Sequence, residues 1–276
     1  MREEKTKKVF IYVGATILLI FCLFPFIWML IVSVSQSPAF LSPNTAFRFT
    51  LENYKEILFN ESLHFVDYLK NSFIISLVAA VCTTFFTSIS AYAITRLKFP
   101  GRGALPLILL AFSMFPQISI VGYLFRLMTN LGWINSYPAL IFPYITIAIP
   151  LALWIMMSYL KQIPIELDNA ALVDGANRFQ ILRKIIFPLA APGAFSTFLL
   201  IFIFCFNEFL FALMLTVDHN ARTIPVGIAL FQGLHGEIPW GEIMAASAIA
   251  SIPLIILAAI FQRHIIQGLT RGALKE

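Results

Sequence analysis

Hydrophobic positions in this chain do not alternate with polar ones. They gather into six long runs, at 9–34, 72–95, 104–125, 138–160, 189–216 and 243–262, separated by shorter polar segments. A helix needs about 20 apolar residues to cross about 30 Å of hydrocarbon, and each run is about that long. A backbone in lipid must satisfy its own hydrogen bonds, and runs of this length without strand-like alternation do so only as helices. The pattern predicts an all-α, polytopic membrane protein with six transmembrane helices, forming a single transmembrane domain over 1–276. Only the fifth run contains a charge, Glu208.

Composition agrees: 59% of the 276 residues are hydrophobic and 12% charged, with a mean hydropathy of +0.86, outside the range of soluble domains. The net charge of +5 gains meaning from its placement. Fourteen of the Lys and Arg residues lie in the amino end, the "RLKFPGRG" turn, the segment 161–188 and the tail, and five (Arg48, Lys55, Lys70, Arg126, Arg222) lie in the other connections. By the positive-inside rule both termini and 161–188 face the cytoplasm, while 35–71 and 217–242 face outward. The first run is too long for a signal-peptide core and has no small-x-small cleavage pattern behind it. Pro25, Pro116, Pro143, Pro150 and Pro253 lie in spans, where proline tends to kink a helix and membrane proteins often tolerate it.

The segment 164–188 is a polar island between two spans. Pro164 suits a first helical turn, and Glu166 and Asp168 follow where the helix dipole favours negative charge. Leu167, Ala170, Ala171 and Asp174 fall at helical spacing as a narrow face of small residues, and Gly175 suits the left-handed residue that ends a helix. Asn177 with Gln180 makes a capping-box start, Phe179, Leu182, Ile185 and Ile186 form an apolar stripe, and Pro188 is expected to stop this second helix before Pro192 opens the next span. Two readings of the elbow stand level on physics alone: an amphipathic element resting on headgroups, or a docking element whose small residues admit another protein's surface.

The spacing of Asn169-Ala170-Ala171, Gly175, Ile185 and Pro188 resembles the "EAA…G…I-LP" loop of ABC-transporter permeases of the binding-protein-dependent import class. Asn169 stands where that family usually has Glu, and Phe187 where it usually has Leu. "NSFIISLVAAVCTTFFTSISAYAITRLKFPGR", "FNEFLFALMLTVDHNARTIPVGIALFQG" and "FQRHIIQGLTRGALKE" extend the resemblance to the carbohydrate-import branch, the maltose and trehalose type, as its second permease chain. The resemblance implies that the elbow is a cytoplasmic coupling helix seated on an ATPase subunit, with Glu166, Asp168, Asn169, Ala170, Ala171, Asp174, Gly175, Ile185 and Pro188 as the coupling residues. It also implies a bacterial-type plasma (inner) membrane as the location, and a second permease chain, two ATPase subunits and an extracytoplasmic sugar-binding protein as partners, with ATP and Mg bound on the ATPase subunits. In relatives the loop matching 217–242 reaches into the binding protein.

The chain has no G-x-x-x-x-G-K-[ST], "PGRGAL" fails as G-x-G-x-x-G, and no G-x-S-x-G is present, so no catalytic residue and no cofactor site is expected within it. His64, His219, His235 and His264 lack metal-ligand spacing, and Cys22, Cys82 and Cys205 are scattered in apolar runs as packing residues, so no metal is expected. Gln117, Asn207 and Glu208 are the candidate substrate-path residues, each able to bond sugar hydroxyls or to join helices. The competing class is an ion-gradient-driven secondary carrier working through Glu208. An integral-membrane enzyme has no constellation to support it.

Overall fold

A computed structural model of the chain describes residues 2–36, 48–234 and 238–273. Twelve α-helices follow one another among them: α1 (Arg2–Ser33), α2 (Glu52–Phe59), α3 (Phe65–Arg96), α4 (Ala104–Ser113), α5 (Ile118–Asn130), α6 (Tyr137–Leu160), α7 (Glu166–Val173), α8 (Arg178–Ile181), α9 (Phe187–Phe206), α10 (Leu210–Leu215), α11 (Ile224–Leu234) and α12 (Trp240–Ala273). The described residues contain no strand beyond the isolated bridge between Ser35 and Phe49. Five continuous helices are long and apolar enough to cross a membrane, and the bent pair α4 and α5 supplies a sixth crossing if it counts as one span.

Three expectations need correction. The run 104–125 is not one straight helix: α4 and α5 meet at 92°. Pro116 stands in the gap, with no amide for the carbonyl of Phe112 and a ring that disfavours helical geometry at Phe115; the tighter bonds Met114 N to Ala111 O and Phe115 N to Phe112 O, both 3.2 Å, close the end of α4. The run 189–216 divides at 207–209 into α9 and α10. Pro188, expected to stop the elbow's second helix, does not, since a span runs unbroken from Arg178 to Phe206. Its passage is a π turn, Leu182–Ile186, closed by Phe187 N–H on Leu182 O. A proline at 188 has no donor for the carbonyl of Lys184, and the wider turn absorbs that loss. The connections 35–71 and 217–242 also contain helices, α2 and α11.

The chain packs as two compact units, Met1–Val66 with Gly227–Ile252 and Asp67–Val226 with Pro253–Glu276. In the first unit α1 is apolar and exposed on nearly every side, which is the surface a lipid-facing span presents. Its end is hooked to α2: Asn53 Nδ2 donates to Ser33 O at 2.9 Å and Ser35 O at 3.0 Å, and the hydroxyls of Ser33 and Tyr54 lie 2.7 Å apart.

In the second unit α6 packs along α9 and against α4. The core joins Ile75, Ala79 and Ala80 of α3, Leu140, Tyr144, Ala148 and Ala152 of α6, and Ile201, Phe202 and Phe206 of α9. Small residues on the facing surfaces admit close approach, the usual device where lipid removes any hydrophobic drive between helices. One close approach is at Gly193, where an added Cβ would stand 2.4 Å from Cγ of Tyr159. Polar residues at the start of α3 pin the segment before α11: Asn71 Nδ2 donates to His219 O at 2.8 Å and Arg222 O at 3.0 Å, its Oδ1 accepts from Tyr137 at 2.6 Å, and Ser72 Oγ accepts the amide of Ile224 at 2.7 Å.

Candidate functional site

The elbow is built by local signals of high specificity. Past α6, the bonds Gln162 N to Tyr159 O at 3.1 Å and Ile163 N to Leu160 O at 3.2 Å tighten the chain into Pro164, and α7 opens with Glu166 and Asp168 in its first turn. It stops at Gly175, whose φ of 83° is left-handed and suits glycine. Ala176 N then bonds Ala171 O at 2.9 Å, the closing bond of this type of helix end. Asn177 restarts the helix: its side chain accepts the amide of Gln180 at 2.9 Å and Gln180 returns the bond at 2.8 Å, a complete capping box.

The predicted coupling residues divide between two faces. Glu166, Asn169, Ala170, Asp174 and Gly175 are exposed, as is Pro188 farther on. Val173, at 88% exposure, projects most from α7. Ile185 is half-buried. Asp168 and Ala171, among the same expected coupling residues, are buried, and the narrow face expected from Leu167, Ala170, Ala171 and Asp174 loses Ala171. Of the two, Ala171 sits in a cluster with Tyr92, Met157, Leu160, Ile181 and Ile186. Ile181 and Ile186, both fully buried, carry the anchoring; of the expected stripe, Phe179 is exposed.

A residue that the sequence expectations did not place at the elbow is Arg96. Its Nη2 donates to Leu160 O at 3.1 Å and Ile163 O at 2.6 Å, and its Nε stands 3.5 Å from Oδ2 of Asp168. Beside the pair is a cleft of about 470 Å³ that Lys98, Asn169 and Arg178 also line. The sequence signal was a cation at the end of a span and an acid in a short helix whose neighbours at three-residue spacing are apolar.

Two of the three substrate-path candidates, Asn207 and Glu208, are engaged locally. Gln117 is half-buried at the head of α5 without capping it. Asn207 is exposed, and its amide returns to Ile203 O at 2.8 Å. Glu208 is buried, and its two oxygens accept the amides of Phe211 at 2.9 Å and Ala212 at 3.2 Å. The acid that an ion-driven carrier would need is therefore committed to starting α10.

Residues 6–271 match the family model described as "Binding-protein-dependent transport system inner membrane component". The chain belongs to this family. Like its relatives, this permease is a transport component of a membrane system, and membership overturns the secondary-carrier alternative. It is 55% identical over 276 residues to the trehalose/maltose transport system permease protein MalG of Thermococcus litoralis, covering 100% of this chain and 99% of that one. It is 40% identical to the trehalose transport system permease protein SugB of Mycobacterium tuberculosis, covering 94% of this chain and 95% of that one. Among solved structures, a bacterial ABC transporter involved in import of the acidic polysaccharide alginate superposes on the permease with a TM-score of 0.74 at 21% identity, over 95% of this chain and 98% of that one, a likeness of fold.

Proposed function

We propose that this permease is the second membrane chain of an ATP-driven, solute-binding-protein-dependent importer of a disaccharide or oligosaccharide. It forms the translocation path with another permease chain, receives sugar from an extracytoplasmic binding protein, and couples to two cytoplasmic ATPase subunits that bind ATP and Mg. The observation that carries this reading is the 55% identity over the full chain to a trehalose/maltose permease. The elbow supports it, offering a short helix with Asn169, Ala170, Asp174 and Gly175 exposed, on the side where Lys and Arg concentrate. Closure of the ATPase dimer pushes that helix, and the spans move with it as packed bodies, switching the path between inward-facing and outward-facing states. The chain itself performs no catalysis in this scheme, and Gln117 and Asn207 remain candidates for lining the path.

The test is a pull-down of the tagged chain from mild detergent with an ATP hydrolysis assay on the bound fraction. A second permease and an ATPase are expected with the wild type. Gly175→Asp, which forces a Cβ onto a left-handed backbone on the exposed elbow, is expected to leave the chain inserted and to uncouple hydrolysis from uptake. A single chain recovered without ATPase activity, or normal sugar uptake by Gly175→Asp, overturns the reading.

A further inference from the structure

Arg96 is the last residue of α3, and its side chain is 6% exposed. Through Nη2 it holds the carbonyls of Leu160, which also accepts the amide of Ile163, and of Ile163, just past the carboxyl end of α6, where a helix dipole favours a cation. Through Nε it faces Asp168 of α7 at 3.5 Å, a side chain 1% exposed. One guanidinium thus joins the end of α3, the end of α6 and the inner face of the elbow. A planar fork with several fixed donors can do this, and an ammonium cannot.

The two attachments differ in kind. Those to α6 are hydrogen bonds, whereas Nε and both carboxylate oxygens make no hydrogen bond within the described residues, so the hold of the guanidinium on α7, beside the apolar packing of Ala171, is by charge. A hydrogen bond weakens steeply with distance and angle; an ion pair falls off only as the inverse of distance. The elbow can therefore tilt on α6 while the attraction persists, yet it cannot separate without leaving a buried charge uncompensated, the costly outcome for a buried pair.

We infer that Arg96 and Asp168 are positioning residues for coupling: they keep α7 attached to α3 and α6 as it is displaced, so that the push reaches both spans instead of being absorbed in the turn 161–165. The inference rests on the reading of the elbow as the coupling element. If the pair served folding alone, breaking it would lower assembly and leave uptake per ATP unchanged in whatever complex forms.

The experiment reconstitutes the whole complex with its binding protein into proteoliposomes and measures labelled trehalose or maltose uptake and ATP hydrolysis in the same vesicles. The variants are Asp168→Asn, Arg96→Lys, Arg96→Gln, the double variant Asp168→Asn with Arg96→Gln, and Gly175→Asp in parallel. In Asp168→Asn the arginine keeps its two carbonyl acceptors, so the complex is expected to assemble and to hydrolyse ATP, with uptake per ATP down about tenfold. The double variant is expected to be no worse than Arg96→Gln alone, because the two side chains act as one unit. Arg96→Lys is expected to fall between Arg96→Gln and the wild type. Unchanged uptake per ATP in Asp168→Asn overturns the inference, as do additive losses in the double variant or failure of the isosteric Asp168→Asn to assemble. If Gly175→Asp uncouples and Asp168→Asn does not, only this inference falls; if neither does, the elbow reading falls as well.

Discussion

The carboxylate of Glu208 closes the first turn of α10 by accepting the amides of Phe211 and Ala212. Replacing it with alanine strands two buried donors. Glu208→Ala is expected to cost about 1–3 kcal/mol, and Glu208→Gln, which keeps one acceptor, less; thermal unfolding in detergent reads both. A larger effect on uptake from Glu208→Gln than from Glu208→Ala would return the residue to the substrate path. On the connection after α10, Asn135 donates to Oδ1 of Asp218 at 2.7 Å, and its own oxygen accepts the amide of Val217 at 2.9 Å. Asn135 and, after it, the amide of Asn220 hold the Asp218 carboxyl below the usual value of 3.8. A lowered folded-state pKa contributes stability above the unfolded value and loses it as pH falls through the folded one. The stability difference between wild type and Asp218→Asn is therefore expected to persist from neutral pH down to the ordinary carboxylate range and to vanish below it, as melts across that series would show. Glu208 was legible as an anomaly, because a lone acid in an apolar run is conspicuous. Its partners were not, since they are amides that only the break at 207–209 sets free.

Among the elements, α6 and α9 meet closely at Gly193 against Tyr159. An alanine there would place Cβ 2.4 Å from Cγ of the ring, near the root of that side chain where it cannot swing aside. Gly193→Ala is expected to cost about 1–3 kcal/mol by overpacking, and adding Tyr159→Ala is expected to recover part of the loss, a non-additivity measurable by a double-mutant cycle. The proline-bearing elements show why composition underdetermines geometry. Pro143 and Pro150 lie inside α6 without ending it, Pro116 stands at a 92° break, and Pro188 is bridged by a π turn. Each removes the same donor; what replaces it depends on the neighbouring helices. The elbow was more readable, because Gly175 and the Asn177 and Gln180 pair act within a few residues. The burial of Asp168 and Ala171 was not, because it requires α3 and α6 beside them.

For the whole molecule, the distribution of Lys and Arg makes an outward-facing α2 and an inward-facing elbow the expected topology. A membrane-impermeant thiol reagent is expected to label Lys55→Cys in intact cells and Lys184→Cys only after the membrane is opened; both native side chains are exposed. Labelling in the reverse order would invert the topology and remove the elbow from any ATPase. The hydrophobic runs by themselves determined that the chain spans a membrane as helices, since apolar length and backbone self-satisfaction act locally along the chain. The motif spacing around Gly175 determined where the elbow lies, because caps act over three or four residues. Tertiary structure alone decided which elbow residues face outward, that Glu208 serves as a cap, and that Arg96 ties α3 and α6 to Asp168. In the last case the partners lie 64, 67 and 72 positions from Arg96 in sequence, and only folding brings a guanidinium, two carbonyls and a carboxylate to one place.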